Sequence, residues 1–375
     1  MTSAFAASPR SSFSKLLFLV VAAALTACAP RPGNETLQEV RADAGDAQTT
    51  TVFVATTRAP QGRGSTRFGS AWSLGISHAA YTVSVPAGHK PGRIEWPDGA
   101  VDPQSSFAVV GSANLTPKDY RTALARDPRR NAGIGLFVHG YNHSFPEALY
   151  RLVQLSVDAG TGGVPVLFSW PSAGTPFGYL ADRDAVAFSR DALTQTLAGL
   201  VASAEGGTVT VTAHSMGALL VMESLRQLRL EGRGDVLNRL SVILAAPDID
   251  PDLFRAQIAV IGQMRQPMTI LVSPDDRALR LAGRLSAHRR RVGALDVRDP
   301  RVRAAVAQAR ILVIDISDLP AQGLARHDRY VELAAIYNDL MSDRPRAPSP
   351  LVQIGRAGVF ILDGLQGALT QPIGP

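Results

Sequence analysis

Thr208-Val209-Thr210-Val211-Thr212-Ala213-His214-Ser215-Met216-Gly217 runs directly into Ala218-Leu219-Leu220-Val221-Met222-Glu223. The alternating Thr and Val residues favour an extended chain. The Ala, Leu, Met and Glu that follow favour a helix. Between them stand a small residue, a serine flanked by two variable positions, and a glycine. This is a strand–turn–helix with Ser215 at its apex. Such a turn holds the serine in strained dihedrals and brings strand and helix backbones nearly into contact, so small residues are required two positions to either side. Ala213 and Gly217 supply them. Ser215 then stands at a helix N-terminus, where free N–H groups and the positive end of the dipole favour a developing oxyanion. That is the placement of a nucleophile; the alternative is an ordinary serine capping a helix.

The pattern outward from this turn is regular. Upstream, the apolar run 134–138 ends in His139-Gly140-Tyr141-Asn142, a helix follows over 145–159, a strand over 164–168 leads into Ser169-Trp170-Pro171, and a long helix spans 182–204. Downstream, the helix 216–230 is followed by Gly232 and Gly234. Strand 240–246 then ends in Pro247-Asp248-Ile249-Asp250, strand 268–273 in Pro274-Asp275-Asp276, strand 311–315 follows, and a helix over 328–341 closes the alternation. Near-continuous apolar strands signal burial on both faces and hence parallel pairing. Strand and helix alternate from 134 to 341, so the fold class is α/β with a mostly parallel, doubly wound sheet whose site lies at the carboxyl ends of its strands. The earlier strands, over 51–57, 81–86 and 107–110, have no helix-length segment between them and are expected as an antiparallel meander. A short helix is expected over 118–126.

At 375 residues, 46% hydrophobic and 19% charged, the chain can bury a full core. The formal charge of +6 is carried almost entirely by arginine, since Lys15, Lys90 and Lys118 are its lysines. The run Arg289-Arg290-Arg291 lacks interleaved aromatics and reads as a solvated face, not a nucleic-acid site. At the N-terminus, Arg10 and Lys15 precede an apolar stretch over 16–25, too short to span a bilayer and of signal-peptide length. Leu25-Thr26-Ala27-Cys28 follows and resembles the lipobox of bacterial lipoproteins, which implies cleavage before Cys28 and lipidation of it. Cleavage would leave +6 − 2 = +4. Ala29 after the cysteine implies an outer-membrane destination, so the expected location is the bacterial cell envelope, facing the periplasm. Cys28 is the sole cysteine, so no internal disulfide is expected. The organisation expected is a signal peptide over 1–27, a flexible tether over 28–50, the catalytic domain over 51–345 and a C-terminal extension over 346–375.

A serine needs a base, and the base a third group to orient it. Of the seven histidines, only His327 lies in the loop between the last strand and last helix, where it can reach back over the nucleophile. His288 reads as a surface residue and His214 as a packing residue. The acid is expected at the end of the penultimate strand: Asp276 is favoured, then Asp275. Asp248 or Asp250 can instead cap a helix. The oxyanion donors are the N–H groups of Met216, after the serine, and of Tyr141, where Gly140 permits close approach. Trp170 and Tyr179 are expected to line the substrate pocket. There is no metal-ligand cluster, phosphate loop or dinucleotide fingerprint, so no metal or cofactor is expected.

The stretches Phe137-Val138-His139-Gly140-Tyr141-Asn142, Phe168-Ser169-Trp170-Pro171-Ser172, Ala213-His214-Ser215-Met216-Gly217, Ala245-Ala246-Pro247-Asp248-Ile249-Asp250 and Ser273-Pro274-Asp275-Asp276-Arg277 together resemble the α/β-hydrolase superfamily. Within it they resemble a bacterial group of exported serine hydrolases long carried as a domain of unknown function (DUF900-like). The resemblance covers about 133–341 and implies the α/β-hydrolase fold, with the acid at Asp276 and the histidine at His327. Asp328 departs from it, since a small polar residue is more familiar after the histidine. The expected activity is carboxylic-ester hydrolysis on a small-molecule or lipid ester, by a protein held to the membrane through Cys28. The competing readings are an acyltransferase on the same triad and a non-catalytic envelope binding protein.

Overall fold

The computed structural model describes residues 31–41, 48–342, 360–363 and 369–370. The expected signal peptide and Cys28 lie outside the described residues, as does most of the C-terminal extension.

Among the described residues, eleven strands form one sheet. In chain order they are β1 (Gln48–Pro60), β2 (Phe68–Val85), β3 (Ala108–Leu115), β4 (Ile134–Val138), β5 (Val164–Ser169), β6 (Val209–His214), β7 (Leu240–Ala245), β8 (Thr269–Val272), β9 (Leu312–Asp315), β10 (Phe360–Asp363) and β11 (Leu369–Thr370). Their spatial order is β11-β10-β9-β8-β7-β6-β4-β5-β1-β2-β3. The run β1-β5-β4-β6-β7-β8-β9 is parallel throughout. The antiparallel β1-β2-β3 meander flanks it on one side, and β10 pairs antiparallel with β9 on the other.

The principal helices are α1 (Pro117–Arg126), α2 (Phe145–Ala159), α3 (Tyr179–Ser203), α4 (Met216–Leu230), α5 (Pro251–Ile261), α6 (Arg277–Leu285), α7 (Pro300–Ala309) and α8 (Arg329–Ser342). They cover both sheet faces. Alternate residues of each strand point to opposite sides, so Leu136, Val138, Val166, Phe168 and Val211 pack with Leu193 and Leu197 of α3 and Leu220 and Leu225 of α4. Phe137, Leu167, Ala245 and Leu271 pack on the other face with Leu149 and Val153 of α2 and Val331 of α8. Two dry layers of this kind fix the register of the central strands, because a one-residue slip would exchange the two faces.

Three expectations are corrected in part. The tether expected over 28–50 is docked within its described portion: Leu37 is buried in the second core, Tyr150 Oη donates to the Thr36 carbonyl at 2.6 Å, and Val40 N–H donates to Val109 O at 3.0 Å. The N-terminal strands are longer than the apolar runs that signalled them, since β2 continues to Phe68 through an exposed hairpin. The sheet also takes strands from beyond residue 345, as β10 and β11 extend its β9 edge.

Candidate active site

β6 delivers Ser215 as the sequence requires. Ser215 has φ 53° and ψ −120°, a conformation rare for residues with a side chain and costing about 1–3 kcal/mol. The surroundings hold it there. Ser215 N–H donates to Ala245 O at 2.9 Å, and its carbonyl accepts from Asp248 N–H at 3.2 Å. The close approach predicted at Gly217 is real: a Cβ there would lie 2.3 Å from the His139 carbonyl oxygen and 2.7 Å from that of Val138. Gly140 is equally confined, since its Cβ would meet His214 Nδ1 at 2.8 Å and Ser215 Cβ at 3.0 Å. The two turns that carry the expected oxyanion donors are therefore packed backbone to backbone.

His327 Nδ1 bonds Asp276 Oδ2 at 2.6 Å, and the Asp276 carboxylate is fully buried. Its other oxygen, Oδ1, accepts from Leu279 N–H at 2.9 Å, so the residue caps α6 while holding the imidazole. With Nδ1–H donated to Asp276, the lone pair of His327 is on Nε2, the tautomer a general base needs. Burial disfavours the imidazolium, but the Asp276 charge and hydrogen bond outweigh it, with Asp248 and Asp328 adding to them, so the His327 pKa is raised above 6.5.

The loop bearing His327 is tied to the end of β8 by the neighbouring acid. Asp275 bonds Arg326 at 2.6 Å, Arg329 at 2.9 Å and Ser273 Oγ at 2.7 Å, while Arg277 N–H donates to Ala325 O at 2.9 Å. The hydrogen bond from Arg329, with those from Ser273 and Arg326, outweighs burial and holds the Asp275 carboxyl well below the usual range. The acid favoured in the sequence and its runner-up thus have separate contacts: Asp276 orients the imidazole and Asp275 pins its loop.

His214, read as a packing residue, has a more specific contact. Its Nε2 lies 3.1 Å from the His327 carbonyl, which can only accept, so Nε2 carries the proton. Its Nδ1 is buried without a partner among the described residues, and its ring stacks on Tyr330. Burial, then the neighbouring His327 and His143, keep it well below 6.5, hence neutral. His288 is exposed.

The loop after β4 is built by buried polar residues that the sequence reading passed over. Arg58 is wholly buried and donates to Ser169 Oγ, Gly69 O, Ser172 O and His143 O. Burial lowers its pKa to about 9, against the opposing charges of Asp182 and Glu147. Asp182 accepts from Asn142 N–H at 3.1 Å, Ser172 Oγ at 2.6 Å and Ala173 N–H at 2.6 Å. Arg31 reaches in from the N-terminal segment to Asn142 O at 2.5 Å, Glu147 at 2.5 Å and Gly174 O at 2.9 Å. These contacts occupy Asn142 N–H and leave those of Tyr141 and Met216 without a protein acceptor among the described residues.

Trp170 and Tyr179 differ from each other. Trp170 has no exposed surface; its indole stacks on His139 at 4.9 Å and donates to His139 O at 2.8 Å. It packs behind the turn that follows β4 and offers no face to a substrate, a correction to the pocket-lining role expected of it. Tyr179 packs edge-on against Tyr141 and donates to Asp248 Oδ2 at 2.9 Å, beside the buried Asp248–Arg291 pair at 3.0 Å. A cavity of about 870 Å³ between α5, α7 and β8 lies apart from these residues; Phe254, Ile258, Met268 and Val306 line it.

No curated protein matches the chain. Among solved structures, an esterase from Pyrobaculum calidifontis, in a monoclinic form, is similar to it over 88% of this chain and 92% of that one, at 12% identity and a TM-score of 0.33. Over residues 116–344 the chain matches the model of the family described as "Alpha/beta hydrolase of unknown function (DUF900)", and, with more than half its length so matched, it belongs to that family.

Proposed function

We propose that the protein is a serine hydrolase that cleaves carboxylic esters through an acyl-enzyme. The observation that carries this reading is the 2.6 Å hydrogen bond from His327 Nδ1 to the buried Asp276, on a loop bonded to the nucleophile turn through His214. Ser215 Oγ attacks the ester carbonyl while His327 Nε2 takes its proton, and the N–H groups of Tyr141 and Met216 hold the oxyanion. The imidazolium, stabilised by Asp276, returns the proton to the departing alkoxide. Water then attacks the acyl-enzyme by the reverse proton route, releasing the acid and freeing Ser215. Tyr179 forms the wall beside the oxyanion turn, and lipidation at Cys28 places the enzyme in the cell envelope.

A panel of p-nitrophenyl esters tests this. Wild-type protein should turn over at least one acyl length, and Ser215→Ala should fall to background. Absence of wild-type turnover on every ester, or undiminished rates in the variant, would refute it.

A further inference from the structure

Large apolar side chains are left in water on the segments that carry the site. Phe177, Leu180, Leu281, Leu285 and Leu324 are between 56% and 97% exposed. They come from three segments that follow the carboxyl ends of β5, β8 and β9, and all three converge on the site. Tyr141 Oη donates to Pro176 O next to Phe177. Arg291 reaches both Tyr179 Oη at 3.4 Å and Ala282 O at 3.3 Å, joining the Phe177 segment to α6. Arg277 N–H holds Ala325 O, joining α6 to the Leu324 segment. Scattered exposed leucines need no explanation, but five large apolar side chains on three segments joined at the site do.

The same rim is cationic. Residues 277–291 hold six arginines and no Asp or Glu. Arg289 pairs with Asp250 and Asp252, and Arg291 with Asp248. Arg277 and Arg284 are exposed and form no ion pair among the described residues, while Arg290 lies beside Asp299 at the separate cavity. Apolar side chains set among unpaired guanidinium groups match the acyl boundary and the phosphates of an anionic bilayer. A second feature gives the orientation. Arg31 is bonded to the Asn142 turn at the site, and Cys28 lies three residues before it, at most about 11 Å of chain. An acyl anchor there would hold this face, and no other, against the lipid.

We propose that this rim docks the protein onto an anionic phospholipid bilayer and that the ester it cleaves is drawn from that bilayer. The identity of the substrate rests on the serine-hydrolase reading; the docking does not. The test uses residues 31–375, which include every strand, helix and core residue described above and lack Cys28. Sedimentation is measured with vesicles of phosphatidylcholine alone and with about a third phosphatidylglycerol. The wild type should bind the anionic vesicles at least tenfold more tightly than the neutral ones. Arg277→Gln/Arg284→Gln should erase that preference, at about fivefold per arginine. Phe177→Ser/Leu281→Ser/Leu285→Ser should weaken binding to anionic vesicles by at least tenfold. Both variants should melt as the wild type does and hydrolyse a water-soluble p-nitrophenyl ester at the wild-type rate. Wild-type protein that ignores anionic vesicles, or variants that bind them undiminished, would overturn the docking surface. Rim-dependent binding by a protein that hydrolyses nothing would sink the hydrolase reading and leave the surface standing.

Discussion

Asp275 and Asp276 are adjacent carboxylates with separable tasks, and substituting each in turn tells them apart. Asp276→Asn removes the charge that sustains the His327 imidazolium and favours the wrong tautomer, so kcat should fall by roughly 10³–10⁴-fold with little change in melting temperature. Asp275→Asn loosens the Arg326 and Arg329 anchors, lowering the melting temperature while His327 keeps its partner. The pH profile gives a second readout. His327 must be neutral to act as base, and its pKa is raised above 6.5, so kcat/KM for the wild type should climb through a limb lying above pH 6.5. In Asp276→Asn that limb should move to lower pH, because the interaction that raised it is gone. If the two variants behaved alike in both assays, the assignment of the acid would be wrong. The sequence ranked Asp276 before Asp275 by position alone, since both follow the same strand; what separates them is Arg326 and Arg329, some fifty residues away, which claim Asp275.

At the scale of elements, the junction of β4 with the start of α4 is the tightest part of the site. A methyl at Gly217 would overlap two backbone carbonyls that have no freedom to rotate away. Gly217→Ala should therefore push α4 off the β4 end, cost roughly 1–3 kcal/mol and lower both the melting temperature and kcat; full activity in this variant would contradict the packing described. This junction was legible because its constraint is local: four or five residues dictate both the turn and the small side chains beside it. The buried strands were legible for a similar reason, as uninterrupted apolar runs. α5, α6 and α7 were not, since arginines interrupt their short apolar patterns, as in the Arg277, Arg280 and Arg284 spacing of α6. The docking of Thr36 and Leu37 had no local signal, being one short apolar contact within a polar stretch. Trp170 shows the remaining limit, because whether an aromatic after a strand faces substrate or core depends on His139, which stacks on it from the turn after β4.

Across the whole molecule, the N-terminal meander is held to the hydrolase core partly by His89. Its two ring nitrogens bond Glu95 at 2.7 Å and Asp158 of α2 at 2.9 Å. Burial opposes the charge, but the hydrogen bonds to Asp158 and Glu95 prevail and raise the His89 pKa. A raised folded-state pKa means that this contribution is complete below the unfolded value of about 6.5 and is lost as pH rises through the folded value. The melting-temperature gap between wild type and His89→Gln should accordingly be wide at pH 6 and narrower at pH 9. A gap that did not depend on pH would show that His89 is not held as an imidazolium.

The central claim is that Ser215 is an activated nucleophile, and labelling with a fluorophosphonate probe followed by peptide mass mapping tests it most directly. The account predicts one adduct, on the peptide containing Ser215, absent from Ser215→Ala and strongly slowed in His327→Ala. A folded wild-type protein that takes up no probe, or takes it up at a residue other than Ser215, would contradict it.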